Sequence, residues 1–405
     1  MASQHQVTLP RPDPVRVLLV SSHPVQYAAP VLRRYAADPR LDVLVAFCSL
    51  QGAERGVDPD FGTEVAWDVP LLDGYRWVHV KNRSPRPGLT GSLGLVNPGL
   101  WSLVRNGGYD VVVCYGYRAA SFWIAAAAAK AFRATLVLTT DAHTLRPRDG
   151  GRWKPALKRW MLPRLFGLAD GVFAPSSRTA RFLVGLGVQA ERVFLTPFVV
   201  DTPTFERASA EADRLAIRRR WGIPADAPVG LFCGKLVSWK RPADVLEAAA
   251  LVDGLHVLVV GEGALRRSLE ERAKSLGIDA RVRFVGFVNQ RRLPEAYTAA
   301  DFLVLPSEHE PFGLVVNEAF ACGRPAVVSR ACGAAGDLVS DGETGFLFDV
   351  GDLTTLAARM RALTHPEIRG VMGEKARRRV AEWSPAQNVE AFVGACLIVA
   401  ERGRR

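Results

Sequence analysis

A chain of 405 residues accommodates two or three domains. Its 48% hydrophobic and 23% charged composition is that of a soluble globular protein, and no uncharged apolar run reaches the length of a spanning helix. The formal charge of +11 is uneven, with 24 Lys+Arg against 14 Asp+Glu in residues 1–200 and 28 against 27 in residues 201–405, so the first half favours an anionic partner such as nucleic acid, an anionic membrane or a phosphorylated substrate.

Residues 1–14 (MASQHQVTLPRPDP) show no basic stretch followed by an apolar one. They read as a disordered lead-in to a cytoplasmic chain, not as a secretory signal. The six cysteines form no CxxC pair and stand in apolar surroundings, which predicts buried reduced thiols.

Val15–Ser21 (VRVLLVS) is a continuous apolar run, as a parallel strand buried on both faces requires. A helix over residues 28–38 and strands over 41–47, 78–80 and 110–114 follow. A helix over 121–132 and strands over 135–139, 171–174 and 193–196 complete a first α/β unit. Ser21–Tyr27 (SSHPVQY) follows the first strand at its carboxyl end, where open α/β sheets bind ligands, so His23 is a candidate for the phosphate or acceptor side.

Asp58-Pro59-Asp60 has the D-x-D form of a Mn²⁺ or Mg²⁺ site, but it lies far along the chain from the motifs below and is read as non-metal. Arg152–Phe166 (RWKPALKRWMLPRLF) mixes five basic residues with two tryptophans. It suits either a core helix with a basic outer face or contact with an anionic membrane, and Pro155 and Pro163 are expected to limit the helix.

A charged helical stretch over 208–221 precedes a second unit. Strands are expected over 229–233, 256–260, 282–285, 302–305 and 326–328, and helices over 242–250, 264–276, 293–299 and 318–322. The organisation is therefore α/β, two Rossmann-like domains over 15–205 and 206–382 facing across a cleft, with residues 383–405 as a closing helix. Gly261-Glu262-Gly263 lacks the third glycine of a dinucleotide fingerprint, which excludes NAD. No basic–aromatic recognition module supports nucleic acid.

The most informative segment is Ala300–Gly323, ADFLVLPSEHEPFGLVVNEAFACG. A strand ends at Pro306, a polar loop carries Glu308, His309 and Glu310, and Pro311, Phe312 and Gly313 open a helix through Glu318. Unpaired amides at that helix start make an anion site for a phosphate. On a continuous helix, eight positions would set Glu310 and Glu318 at similar azimuth, about 12 Å of rise apart.

This segment resembles the E-x7-E element of retaining glycosyltransferases of family 4, which have the GT-B fold. The resemblance is dense from about residue 193 to 348 and includes VRFVGFV, DGETGFLF and FCGKLVSWK (Phe232–Lys240). It implies that Glu310 contacts the hydroxyls of the donor sugar and Glu318 the ribose. Phe312, Gly313 and Leu314 belong to the diphosphate loop, with Gly313 and Leu314 offering amides. Lys235 and Lys240, beside Gly234, neutralise the leaving phosphates, and the backbone of Val288 meets the base. The family usually has Arg where Lys235 stands, and it often has a Gly-Gly pair where this chain has Ser21–Tyr27.

In the family, the loop after the strand here read as 135–139 supplies a histidine near the reaction centre, and Asp141 and His143 both qualify. The H-P-x-Q-Y stretch and Asp58–Tyr75 are similar to bacterial envelope or exopolysaccharide enzymes. The resemblance thus implies sugar transfer from a UDP- or GDP-sugar to a glycan, lipid-linked or small-molecule acceptor, with retention, no enzyme nucleophile and no metal or other cofactor. A nucleotide-sugar-binding scaffold without catalysis, or a GT-B epimerase or phosphorylase, are the alternatives.

Overall fold

The computed structural model describes residues 13–53, 56–58, 63–145 and 154–404. The expected lead-in therefore lies outside the described residues up to position 12, as do Pro59 and Asp60 of the D-x-D and the first residues of the basic segment, 152 and 153.

Two parallel sheets carry the chain. The first has seven strands in the spatial order Trp77–His79, Leu41–Phe47, Val15–Ser21, Val111–Cys114, Thr135–Thr139, Gly171–Ala174, Val193–Leu195. The second has six, in the order Val282–Gly286, His256–Val260, Val229–Cys233, Phe302–Leu305, Ala326–Ser329, Gly345–Phe348. Val17, Leu18, Leu19 and Val20 are all essentially inaccessible, because helices cover both faces of the sheet. An antiparallel pair, Gly56–Asp58 with Thr63–Val65, stands apart. In both sheets the strand order reverses beside the central strand, which places a crevice at the carboxyl ends of Val15–Ser21 and Val229–Cys233.

Two local expectations are corrected. The charged stretch is two helices, Thr202–Glu211 and Arg214–Arg220, because Asp213 caps the second by accepting the Ala216 amide. The first of them carries Phe205, which packs on Tyr297 of the second half. Pro163 does not limit the basic helix, which runs Lys154–Gly167 with that proline inside it. All six cysteines are buried free thiols.

The last helix, Pro385–Arg404, returns to the first sheet. Tyr35 stacks on Phe392 at 3.9 Å, and its hydroxyl donates to Asn388 Oδ1 at 2.6 Å. Arg40 pairs with Glu390, and Arg404 with Asp110. One chain end thus clamps the first half while its own start, Trp383, packs on the second.

Candidate active site

The strand Val229–Cys233 ends in a loop that carries Gly234, Lys235 and Lys240. That loop packs backbone to backbone on the next one. Gly234 donates to the Val260 carbonyl at 2.9 Å, and a Cβ on Gly261 would stand 1.9 Å from the Gly234 carbonyl. Gly261 therefore serves close approach, which accounts for a glycine there without any dinucleotide.

Lys240 reaches across to the loop after Phe302–Leu305. Its Nζ lies 2.5 Å from Glu310 Oε2, and Ser307 Oγ donates to the same oxygen at 3.3 Å. Glu310 is 7% exposed, so the pair is largely withdrawn from water.

The Glu310 loop is held by its neighbour in space. The Glu310 carbonyl accepts from Gly333 at 3.0 Å and the Phe312 carbonyl from Ala334 at 2.8 Å. The helix does not begin at Pro311. It runs Leu314–Ala321, with Gly313 outside it at φ +100°, a left-handed conformation that costs glycine little. No side chain caps that start, so its first amides remain open toward the loop.

Glu310 and Glu318 thus do not share one helix, and the expected 12 Å rise does not apply. Phe312 is also more than a loop residue. Its ring is buried, nearly parallel to Trp383 at 6.1 Å and edge-on to Phe198 at 6.0 Å, which joins the Glu310 loop to the linker and to the segment just before the closing helix.

Glu318 sits inside the helix, almost fully buried, and accepts from the Tyr297 hydroxyl. Burial pushes its carboxyl up to about 7, against the opposing pull of that hydrogen bond. Val288 packs on the core as the chain leaves Val282–Gly286. The next residue, Asn289, crosses to the first half, donating to the Ala66 carbonyl at 2.6 Å and accepting from the Asp68 amide at 3.3 Å.

On the facing side, the loop after Thr135–Thr139 separates the two candidates that sequence left open. Asp141 lines a cavity of about 370 Å³ in the first half, together with His23. Burial first, and then the Asp141 carboxylate, push the neighbouring Tyr117 hydroxyl up. His143 instead faces the second half, with its ring 6.0 Å from His309 and nearly parallel to it. Burial lowers it to about 4, with the Arg178 guanidinium and His309 adding to the effect and Glu310 opposing it. Its Nδ1 is buried without a hydrogen-bond partner among the described residues. His23 Nδ1 lies 2.9 Å from Ser22 Oγ.

Three residues of this cleft were given no functional role by sequence. Arg178 donates from the first half to the carbonyls of Arg330 and Cys332, at 2.6 and 3.3 Å. Asp337 accepts from the Ser177 amide at 2.8 Å, a second tie between the halves. His309 lies in the loop already singled out, but its partner is more than 160 positions away, and only the fold brings them together. Among the described residues no cluster of three metal-ligating side chains is found.

Two family models match in series. "Glycosyl transferase 4-like domain" covers residues 25–198 and "Glycosyl transferases group 1" covers 213–379. A D-inositol 3-phosphate glycosyltransferase of Geodermatophilus obscurus is 36% identical over 66% of this chain and 63% of its own length. A D-inositol 3-phosphate glycosyltransferase 2 of Catenulispora acidiphila is 38% identical over 56% of each. The chain therefore spans little more than half the length of such relatives. Among solved structures, Anabaena HepE in complex with UDP and glucose superposes with a TM-score of 0.71 at 20% identity, covering 94% of this chain and 98% of that one. The chain belongs to the GT-B glycosyltransferases of family 4 type, built from a 4-like first domain and a group 1 second domain.

Proposed function

We propose that this protein transfers a sugar, with retention, from a nucleoside diphosphate in the second half to an acceptor hydroxyl presented by the first. The observation that carries the reading is the Lys240–Glu310 pair beside the uncapped helix start at Gly313. A cation, open amides and a carboxylate within one loop suit a diphosphate next to a polyhydroxylated ring.

In this reading the bond from the anomeric carbon to the β-phosphate oxygen breaks, and its electron pair leaves with the phosphate. Lys235, Lys240 and the amides of Gly313 and Leu314 stabilise that charge, so no metal is called for. The acceptor oxygen bonds to the same carbon on the same face, and its proton passes to the departing phosphate. Glu310 orients the sugar hydroxyls, and Glu318 receives the ribose. His143, held neutral beside Glu310 and His309, is placed to donate or accept a hydrogen bond at the reacting centre.

Retention rests on the resemblance of the Glu310…Glu318 segment, and a role in envelope or exopolysaccharide synthesis rests on the H-P-x-Q-Y stretch. A peripheral contact with an anionic membrane is supported by the helix Lys154–Gly167, where Trp160 is 59% exposed amid Lys158, Arg159 and Arg164. No helix among the described residues is long and apolar enough to cross a membrane.

Calorimetric titration with UDP and GDP, with and without Mg²⁺, tests the donor reading. Micromolar binding of one nucleotide, independent of metal and weakened about ten-fold or more in Lys240→Ala, is expected. Binding of neither, or binding only with Mg²⁺, contradicts it.

A further inference from the structure

The cavity that His23 and Asp141 line in the first half is a site whose occupant the donor reading leaves unspecified. At about 370 Å³ it falls within the range of small-molecule pockets. It opens at the carboxyl end of Val15–Ser21 and runs inward past Tyr27, Tyr35, Phe47, Tyr115, Tyr117 and Phe122. Aliphatic side chains, Leu19, Val31, Leu32 and Val199 among them, complete the wall.

Its polar equipment is sparse and specific. Thr139 lines the cavity and is 8% exposed, and its hydroxyl has no partner among the described residues. A buried hydroxyl left unmatched costs free energy that a ligand oxygen at the site recovers. The floor is already satisfied, because Tyr35 donates to Asn388 and Asn388 Nδ2 donates to the Pro197 carbonyl at 2.7 Å.

A phosphate finds little to bind here. The titratable side chains on the lining, tyrosines aside, are His23, Asp141 and Arg118, and the arginine is solvent-exposed. The helix Ala29–Ala37 points its start at the cavity, but that start is spent. The Ala28 and Ala29 amides both donate to the Val25 carbonyl at 3.2 Å, and Pro30 has no N–H. A phosphorylated polyol would therefore bring its charges into an aromatic pocket without a buried cation and next to the Asp141 carboxylate.

From this lining we infer that the acceptor is an uncharged alcohol with an apolar body, aromatic or alkyl, which fills the cavity while its hydroxyl emerges past Thr139 and Asp141 toward His143. The word acceptor rests on the transferase reading above. The cavity's ligand class does not, and the test reads binding alone.

Saturation-transfer NMR on the full chain would use 4-methylumbelliferone as the aromatic probe, 1-octanol as the alkyl probe and myo-inositol 1-phosphate as the charged polyol. Binding of at least one apolar alcohol with a dissociation constant below about 1 mM is expected, undisturbed by the polyol phosphate. The stronger of the two probes identifies the body as aromatic or alkyl. Ala28→Phe, which fills the mouth from a half-buried position just before the helix, should weaken that binding at least about ten-fold in a protein that thermal unfolding shows to be folded at the assay temperature. Thr139→Val, close to isosteric, should weaken it about three-fold or more by removing the hydroxyl.

Failure of both alcohols to bind overturns the inference, as does displacement by the inositol phosphate or equal affinity in Ala28→Phe. Alcohol binding in a protein that takes neither UDP nor GDP would sink the transferase reading and leave the cavity assignment standing.

Discussion

Lys240 Nζ and Glu310 Oε2 are 2.5 Å apart, so the cation assigned to the diphosphate and the carboxylate assigned to the sugar already neutralise one another. A nucleotide must compete with Glu310 for that ammonium. Glu310→Gln releases Lys240 and removes a negative charge from the phosphate side. UDP or GDP is then expected to bind several-fold tighter, while transfer falls at least about a hundred-fold because the sugar loses its orienting group. Lys240→Ala should act oppositely on binding, weakening it about ten-fold or more, or about 1.4 kcal/mol. Calorimetry paired with a product assay reads both. Unchanged turnover in Glu310→Gln would remove the residue from the site.

Gly261 fixes where the lysine loop lies. A methyl group there meets the Gly234 carbonyl at 1.9 Å, and φ is +135°, so Gly261→Ala cannot be relieved by a rotamer change. Loss of about 2 kcal/mol or more of stability is expected in denaturant titration. At temperatures where the variant remains folded, nucleotide affinity should fall as well, since the displaced segment carries Lys235. Wild-type stability in the variant would mean that the two loops do not pack as described.

The parts of this molecule that sequence made legible are those with a local cause. Parallel strands buried on both faces must be continuously apolar, and Val15–Ser21, Val229–Cys233 and Phe302–Leu305 were readable for that reason. The start of the helix carrying Glu318 was misplaced because its cause is distant. The Gly333 and Ala334 amides tie down the Glu310 and Phe312 carbonyls, and the helix starts only at Leu314. Pro163 broke no helix, since packing of Leu162, Leu165 and Phe166 outweighs one lost hydrogen bond. The choice between Asp141 and His143 was open in sequence because they stand two positions apart. Only the facing loop, with His309, tells which of them points across the cleft.

Two groups make stability depend on pH with opposite signs. Glu318 titrates near 7 in the folded chain against an ordinary 4.5. Its contribution is fully present below 4.5 and is lost as pH rises through 7. His143 titrates near 4 against 6.5, so its contribution is present above 6.5 and is lost as pH falls through 4. Between 4.5 and 6.5 the two slopes oppose each other. Thermal unfolding from pH 4 to 8 should show that Glu318→Gln flattens the neutral limb, by no more than about 3 kcal/mol, and that His143→Gln flattens the acid limb. Parallel curves for wild type and Glu318→Gln would mean that this carboxyl is not titrating where the fold places it.

The tie at Asn289 bears on water exclusion. Its side chain joins the halves twice, to the Ala66 carbonyl and the Asp68 amide, and the Arg291 amide donates to Asp68 Oδ1 at 3.2 Å. Trp67 lies edge-on to Phe287 at 5.8 Å on the same side. Each such hydrogen bond contributes about 0.5–1.5 kcal/mol, so Asn289→Ala should shift the balance toward a more open cleft by about 1–3 kcal/mol. An open cleft admits water to the activated sugar. The variant is therefore expected to hydrolyse the donor faster relative to transfer, with a larger radius of gyration by solution scattering and nucleotide affinity within about three-fold of wild type. Asp337→Ala, which frees the Ser177 amide on the other side of the cleft, should give the same direction of change. If either variant kept the wild-type radius and partition between hydrolysis and transfer, the tie it removes would not govern opening of the cleft.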